Sequence, residues 1–169
     1  CHIHGFLHEM PFELVEKGED YVICEYKATK ERPYCEFPHA FTVRIIYRIG
    51  QNGLVCDTEI CNESNVNMPN LLGYHTTFNV PFLTDGKSED ICVLAEVKDE
   101  VERNMQMYLP TGKILPDDEI THKLCRGTFL PFERTISRQY LKKDEGRVAL
   151  IDKKRKLFVY KREHLCYNE

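Results

Sequence analysis

Two stretches of the sequence hold residue types able to move protons or bind a metal. The first, "HIHGFLHE" (residues 2–9), contains His2, His4, His8 and Glu9. If it is extended, His2 and His4 point to one face, because strand side chains repeat every two residues. Completed by His8 and Glu9, that pair has the makings of an imidazole–carboxylate metal site. The second stretch, "GYHTTFNVPF" (73–82), sets His75 near the start of a strand-like run. Taken alone, a histidine in a strand more often satisfies a backbone carbonyl than performs chemistry. With a side-chain pKa of about 6.5, however, a histidine is available as an acid or a base near neutral pH.

The elements that must position these residues read as strands. The runs at 21–28, 41–49, 53–64, 74–80, 91–97 and 146–162 are rich in Val, Ile, Tyr, Phe and Thr and are separated by turn residues. Asn52-Gly53 predicts a hairpin between the second and third runs. "DKKRK" (152–156) predicts a turn within the last. Helix patterning is sparse. The best candidate is "DEVERNMQMYL" (99–109), which has good helix formers but runs into Pro110 and is flanked by strand-like sequence. "LPTGKILPDDE" (109–119) reads as an ordered loop or a kinked strand. The class expected is all-β, a large sandwich or a piece of one.

Composition narrows the function classes. At 169 residues the chain fits a single domain, burying roughly 70% of its unfolded surface. It is 42% hydrophobic and 30% charged with both signs interspersed, the profile of a folded protein and not a disordered one. A formal net charge of −4 argues against nucleic acid as a partner. The late basic cluster in "IDKKRKLFVYKR" (151–162) reads as a solvated strand edge or turn. No apolar run reaches the ~18 residues of a membrane span, so no membrane partner and a cytoplasmic location are expected. The eight cysteines (1, 24, 35, 56, 61, 92, 125 and 166) have irregular spacings and no C-x-x-C. They read as reduced thiols, several of them small core residues. The chain opens on "CHIHGF" and closes on "REHLCYNE", which look like cuts through structured sequence.

An ordered series of segments gives the histidines a context. "HIHGF", "FPHAFTVRIIYRIGQNGLVCDTEICNES", "MPNLLGYHTTFNVPF", "LPTGKILPDDE" and "GTFLPF" follow one another through nearly the whole chain. Together they resemble the aldose 1-epimerase (galactose mutarotase) family and its wider superfamily. The resemblance implies a β-supersandwich, the galactose-mutarotase-like fold, and a monosaccharide (aldohexose) substrate interconverted between α and β anomers, with no metal or cofactor. It sets His75 on the family's catalytic histidine, the acid for the ring oxygen, and His4 on its second active-site histidine, which orients the sugar. The family's general base is a glutamate in a Glu-Pro segment, expected beyond Glu169. Its sugar-selecting aspartate has no match in "RTISRQYL" (134–141), where only Ser137 stands.

Alternatives stay open. A catalytically silent carbohydrate-binding protein on the same fold is one. A branch acting on hexose 6-phosphates is another; Arg44, Arg48, Arg126 and Arg138 are available to it, although Arg126, beside Gly127, reads as a solvated loop residue. A third is a metal site of the cupin type on His2, His4, His8 and Glu9, lacking cupin glycines at matching positions. With no Trp in the chain, a sugar-stacking ring would be Tyr or Phe. Strand alternation places the nearest, Tyr74 and Phe78, on the face opposite His75 and therefore in the core.

Overall fold

The computed structural model describes residues 4–34, 37–51, 53–129, 136–144 and 146–161. These fall into two compact units, Cys1–Thr76 and Thr77–Glu169.

The first unit is built on a four-stranded antiparallel sheet in the order β1-β2-β3-β4, formed by β1 (Glu13–Lys17), β2 (Tyr21–Ala28), β3 (Phe41–Gly50) and β4 (Gly53–Asn62). β3 and β4 pair residue for residue, from Phe41 opposite Asn62 to Gly50 opposite Gly53. Asn52 of the expected turn lies outside the described residues, and Gly53 takes the positive φ of 123° that a tight hairpin needs. β1, an edge strand, is exposed throughout and carries a register shift between Leu14 and Glu16, a bulge of the kind that blunts sheet edges.

Alternation makes one face of this sheet apolar. Phe41, Val43 and Ile45 of β3 share it with Ala28 and Tyr26 of β2 and Ile60 of β4. Ala28, Phe41 and Val43 are its buried centre, and Phe6, Leu7, Phe12, Phe37 and Met68 pack against them from outside the strands. The other face holds paired charges. Arg44 donates to Glu25 at 2.6 Å, and Arg48 to Asp57.

The second unit holds two antiparallel sheets. One has the order β11-β10-β5-β8, from β5 (Ile91–Ala95), β8 (Thr128–Phe129), β10 (Val148–Asp152) and β11 (Leu157–Lys161). The other has the order β7-β6-β9, from β6 (Val97–Arg103), β7 (Pro110–Leu115) and β9 (Tyr140–Lys142). The chain passes from one sheet to the other at Glu96, which Arg147 secures. Its backbone N–H and its guanidinium donate to the Glu96 carboxylate at 2.9–3.1 Å. Gly146 passes so near that a Cβ there would lie 2.4 Å from the Glu96 carbonyl oxygen. A helix, α1 (Glu119–Arg126), packs on β5 and β6. Asp118 caps it by accepting from the Thr121 N–H at 2.9 Å, and Gly127 ends it at φ 86°.

The structure revises several sequence expectations. The helix candidate at 99–109 is β6 followed by a turn, because Glu100 and Val101 pair with Leu115 and Ile114 of β7. Asn104 shapes that turn, its side chain accepting from the Gln106 N–H at 2.8 Å. Pairing here overrides helix propensity. The stretch 109–119 contains a regular strand, β7, and the beginning of α1. Arg126 is the last residue of that helix and not a loop residue. The expected strand at 74–80 does not form. Those residues lie in irregular chain, so the alternation that sent Tyr74 and Phe78 into the core does not apply, and the two rings are 44% and 40% exposed. Of the cysteines, 24, 56, 61, 92 and 125 are free thiols and Cys92 is buried, whereas 1, 35 and 166 lie outside the described residues.

A candidate active site on His4 and His75

Both histidines belong to the first unit; His4 is placed by a neighbour inserted in the apolar core, and His75 lies beside a tyrosine hydrogen-bonded to the sheet. For His4 that neighbour is Phe6. Its ring stacks on Tyr34 at 4.2 Å between centroids and meets Phe37 at 5.6 Å and Phe41 at 6.2 Å. Between ring and histidine the backbone bends through two left-handed residues, His4 and Gly5, both at φ 72°. Glycine takes this conformation at no steric cost, and histidine is among the residues that tolerate it best. His4 therefore stands out from the core as an exposed residue.

His75 comes from the irregular chain after β4. The exit is tied by side chains: Asn62 donates to the Val66 carbonyl at 2.8 Å and accepts from the Ser64 N–H at 3.0 Å. Met68 then packs on the core. The Tyr74 hydroxyl donates to Thr58 Oγ1 of β4 at 2.7 Å. Residues 71–79 are exposed throughout.

The two imidazoles meet edge to face. Their centroids are 4.8 Å apart and their planes are inclined at 74°. Residues at opposite ends of this unit's sequence thus present two imidazoles on one exposed patch, each with ring nitrogens able to donate or accept a proton. Both are open to a ligand from solvent.

The other candidates are dispersed. His2 lies outside the described residues, and His4, being left-handed, does not continue an extended H-x-H strand. His8 Nε2 lies 3.5 Å from Glu9 Oε1 on an exposed turn. Among the described residues no three His, Cys, Asp or Glu side chains come together as a metal group. Arg44 and Arg48 are in the first unit, each paired with a carboxylate. Arg138, in the second, bridges Glu100 and Asp118 at 2.7 Å each. Arg103 engages both oxygens of Ser137. Of residues 134–141, 134 and 135 are outside the described set, as is Glu169.

Two further features of this unit lie outside the sequence expectations. His39 packs its ring on Phe37 at 4.8 Å, and its Nδ1 is buried with no hydrogen bond among the described residues. Tyr47 lies on the sheet face that also carries Thr58. Burial pushes its phenol up, with Cys56, Cys24 and Tyr74 adding to the shift.

A sequence model of the aldose 1-epimerase family matches residues 1–166. The chain belongs to the aldose 1-epimerase family. Among solved structures, this family member is similar to a galactose mutarotase-like protein from Clostridium acetobutylicum, with a TM-score of 0.71 and 23% identity, over 89% of this chain and 48% of that one. It is also similar to a galactose mutarotase related enzyme from Lactobacillus acidophilus, with a TM-score of 0.66 and 18% identity, over 93% of this chain and 52% of that one. Likeness at these identities establishes the fold, the all-β galactose mutarotase-like sandwich. The chain spans about half the length of each of these two relatives. Among the described residues of this epimerase-family chain, no helix is long and apolar enough to cross a membrane.

Proposed function

We propose that this chain supplies the acid side of a sugar mutarotase, an isomerase that interconverts the α and β anomers of an aldohexose. The observation that carries the reading is the edge-to-face meeting of His4 and His75 at 4.8 Å, within a chain that belongs to the aldose 1-epimerase family. The reaction needs a proton taken from the anomeric hydroxyl and another delivered to the ring oxygen. As the base takes the first, the bond from the anomeric carbon to the ring oxygen breaks, the carbon becomes the aldehyde, and His75 gives the ring oxygen its proton. Rotation of the aldehyde and the reverse steps close the ring as the other anomer. His4, beside His75, hydrogen-bonds the sugar near the ring oxygen and fixes its orientation. A positioned proton transfer of this kind contributes about 10²- to 10⁴-fold, ample for a reaction that water already supports. The general base that the family resemblance implies is a glutamate.

A second reading, a carbohydrate-binding protein on this fold with no turnover, draws on residues 134–141, which hold no aspartate where the family resemblance implies a sugar-selecting one. The branch acting on hexose 6-phosphates draws less support. Arg44, Arg48 and Arg138 already engage carboxylates, and a guanidinium so committed must break an ion pair to accept phosphate. Polarimetry on freshly dissolved α-D-galactose and α-D-glucose, with the whole natural polypeptide, separates the first two readings. Mutarotation well above the buffer rate is the expected result. A rate equal to buffer, with either sugar still bound by calorimetry, would leave only the binding protein. A stoichiometric transition metal in the purified protein would instead return the histidines to metal binding.

A further inference from the structure

We infer that Tyr74 is a positioning residue, whose hydroxyl holds His75 against His4 by anchoring irregular chain to β4. The catalytic part of this inference rests on the proposed role of His75; the geometric part stands without it. Residues 67–79 form no helix or strand, so no backbone ladder fixes the height or direction of His75. Side chains must do so. The knot of Asn62, Ser64 and Val66 and the packing of Met68 secure the chain as it leaves the sheet, but both lie at least seven residues before His75. Tyr74 is its immediate neighbour, and the Tyr74 hydroxyl lies 2.7 Å from Thr58 Oγ1.

Thr58 is a rigid point of attachment. It pairs with Ile45 in the centre of the β3–β4 ladder, on the face that bears Val43 and Phe41. The hydrogen bond to Thr58 turns the Tyr74 hydroxyl toward the sheet face that also carries Tyr47, Cys56 and Cys24. With the phenol fixed at its tip, the peptide that follows Tyr74 is held near β4, and the freedom of the next imidazole is reduced. His4 is placed independently, through Phe6 in the core. Contact between the two imidazoles therefore depends on two separate anchors. The Tyr74–Thr58 hydrogen bond is the more exposed and the easier to remove without disturbing packing.

The test uses Tyr74→Phe, Thr58→Val and the double variant in the whole natural polypeptide. Each is assayed by polarimetry, by melting, and by the proton NOE between the His4 and His75 rings. Losing one hydrogen bond that orients an acid predicts that kcat falls about five- to tenfold in either single variant. KM is expected to stay within about twofold, the melting temperature to hold, and the NOE to weaken or vanish. The double variant should be no worse than either single one, because both remove the same bond. Wild-type kcat with an intact NOE in both single variants would overturn the inference, as would losses that multiply in the double. Should the unaltered protein prove no faster than buffer, the mutarotase reading fails alone, and the NOE series still decides whether Tyr74 positions His75.

Discussion

Residues 1–76 hold their irregular segments by burying rings and a thioether, with uncharged hydrogen bonds from Asn62 and Tyr74. Phe6 is stacked on Tyr34, Phe37 meets both Phe6 and Phe41, and Met68 is set on the same apolar face. Residues 77–169 hold theirs with guanidinium–carboxylate links. Arg147 ties the corner at Glu96, Arg138 joins Glu100 to the helix cap Asp118, and Arg155 reaches the buried Asp152 and the carbonyl of Asp85. The difference has a physical consequence. Apolar packing responds weakly to pH and salt, whereas the ion pairs depend on carboxylates staying charged. The irregular segments that carry both candidate catalytic histidines thus rest on contacts that do not depend on a charged carboxylate.

The sharpest way to break this comparison is to show that the chemistry does not belong to the first unit. His75→Ala is expected to lower mutarotation by about 10²- to 10⁴-fold, the usual contribution of a positioned acid. His75 is exposed, so its removal should shift stability by no more than about 0.5 kcal/mol. Polarimetry and urea unfolding of the same sample check both. Unchanged catalysis, or an unfolded variant, would make His75 a structural residue.

For the second unit the matching test is Arg138→Met. Arg138 is 19% exposed and Glu100 14%, while Asp118 is 42% exposed. Removing the guanidinium leaves a largely buried carboxylate without its partner and weakens the cap of α1. Breaking a fully buried pair costs about 3–5 kcal/mol; the exposure of Asp118 brings the expectation to about 2–3 kcal/mol, read from the shift of the urea midpoint. A loss below about 0.5 kcal/mol would show that the ionic links in this unit are ornamental, and the contrast would collapse.

Legibility in the sequence follows the same division. β2, β3 and β4 were readable to within a residue or two because Val, Ile and Tyr alternate along them and a glycine turn joins the last two. The 74–80 run has equally β-prone residues but pairs with no strand among the described residues, and composition does not reveal whether a pairing partner exists. Residues 99–103 carry helix formers, yet β7 and β9 offer hydrogen bonds on both sides. α1 has ordinary boundary marks, Asp118 before a helical run and Gly127 after it, but the two prolines upstream read as loop and mask them. The meeting of His4 and His75 could not be derived from spacing, because it depends on a left-handed bend at one end and a tyrosine anchor at the other. Only the ordered likeness to a family pointed to it.

A smaller effect is expected at that bend. Gly5 has φ 72° and open space where a Cβ would stand, with no heavy atom within 4 Å. Gly5→Ala therefore meets no clash, and its cost is backbone strain of about 1–2 kcal/mol. The sharper expectation is where that cost appears. If the bend relaxes, His4 leaves His75 and activity falls while the core around Phe41 keeps its amide-exchange protection. If activity and the melting temperature are both unchanged, the left-handed bend does not position His4.

The mildest perturbation is acid, and its sign is fixed by the carboxylates of the second unit. Two guanidinium hydrogen bonds and a backbone N–H from Arg147 pull Glu96 down to about 2, against an unfolded value near 4.3. Arg138 and the Thr121 N–H hold Asp118 well below its ordinary range in the same way. Between roughly pH 4.3 and 2 the unfolded chain binds more protons than the folded one, so these links are fully stabilising above that window and fade as pH falls through it. Arg147→Ala should consequently destabilise most near neutral pH, with the gap to the unaltered protein closing as urea midpoints are followed from pH 6 to 3. Phe6→Leu in the first unit should show a gap independent of pH. Parallel behaviour of the two variants would mean that the units do not differ in how they are held, because only a loss routed through a carboxylate can disappear on protonation.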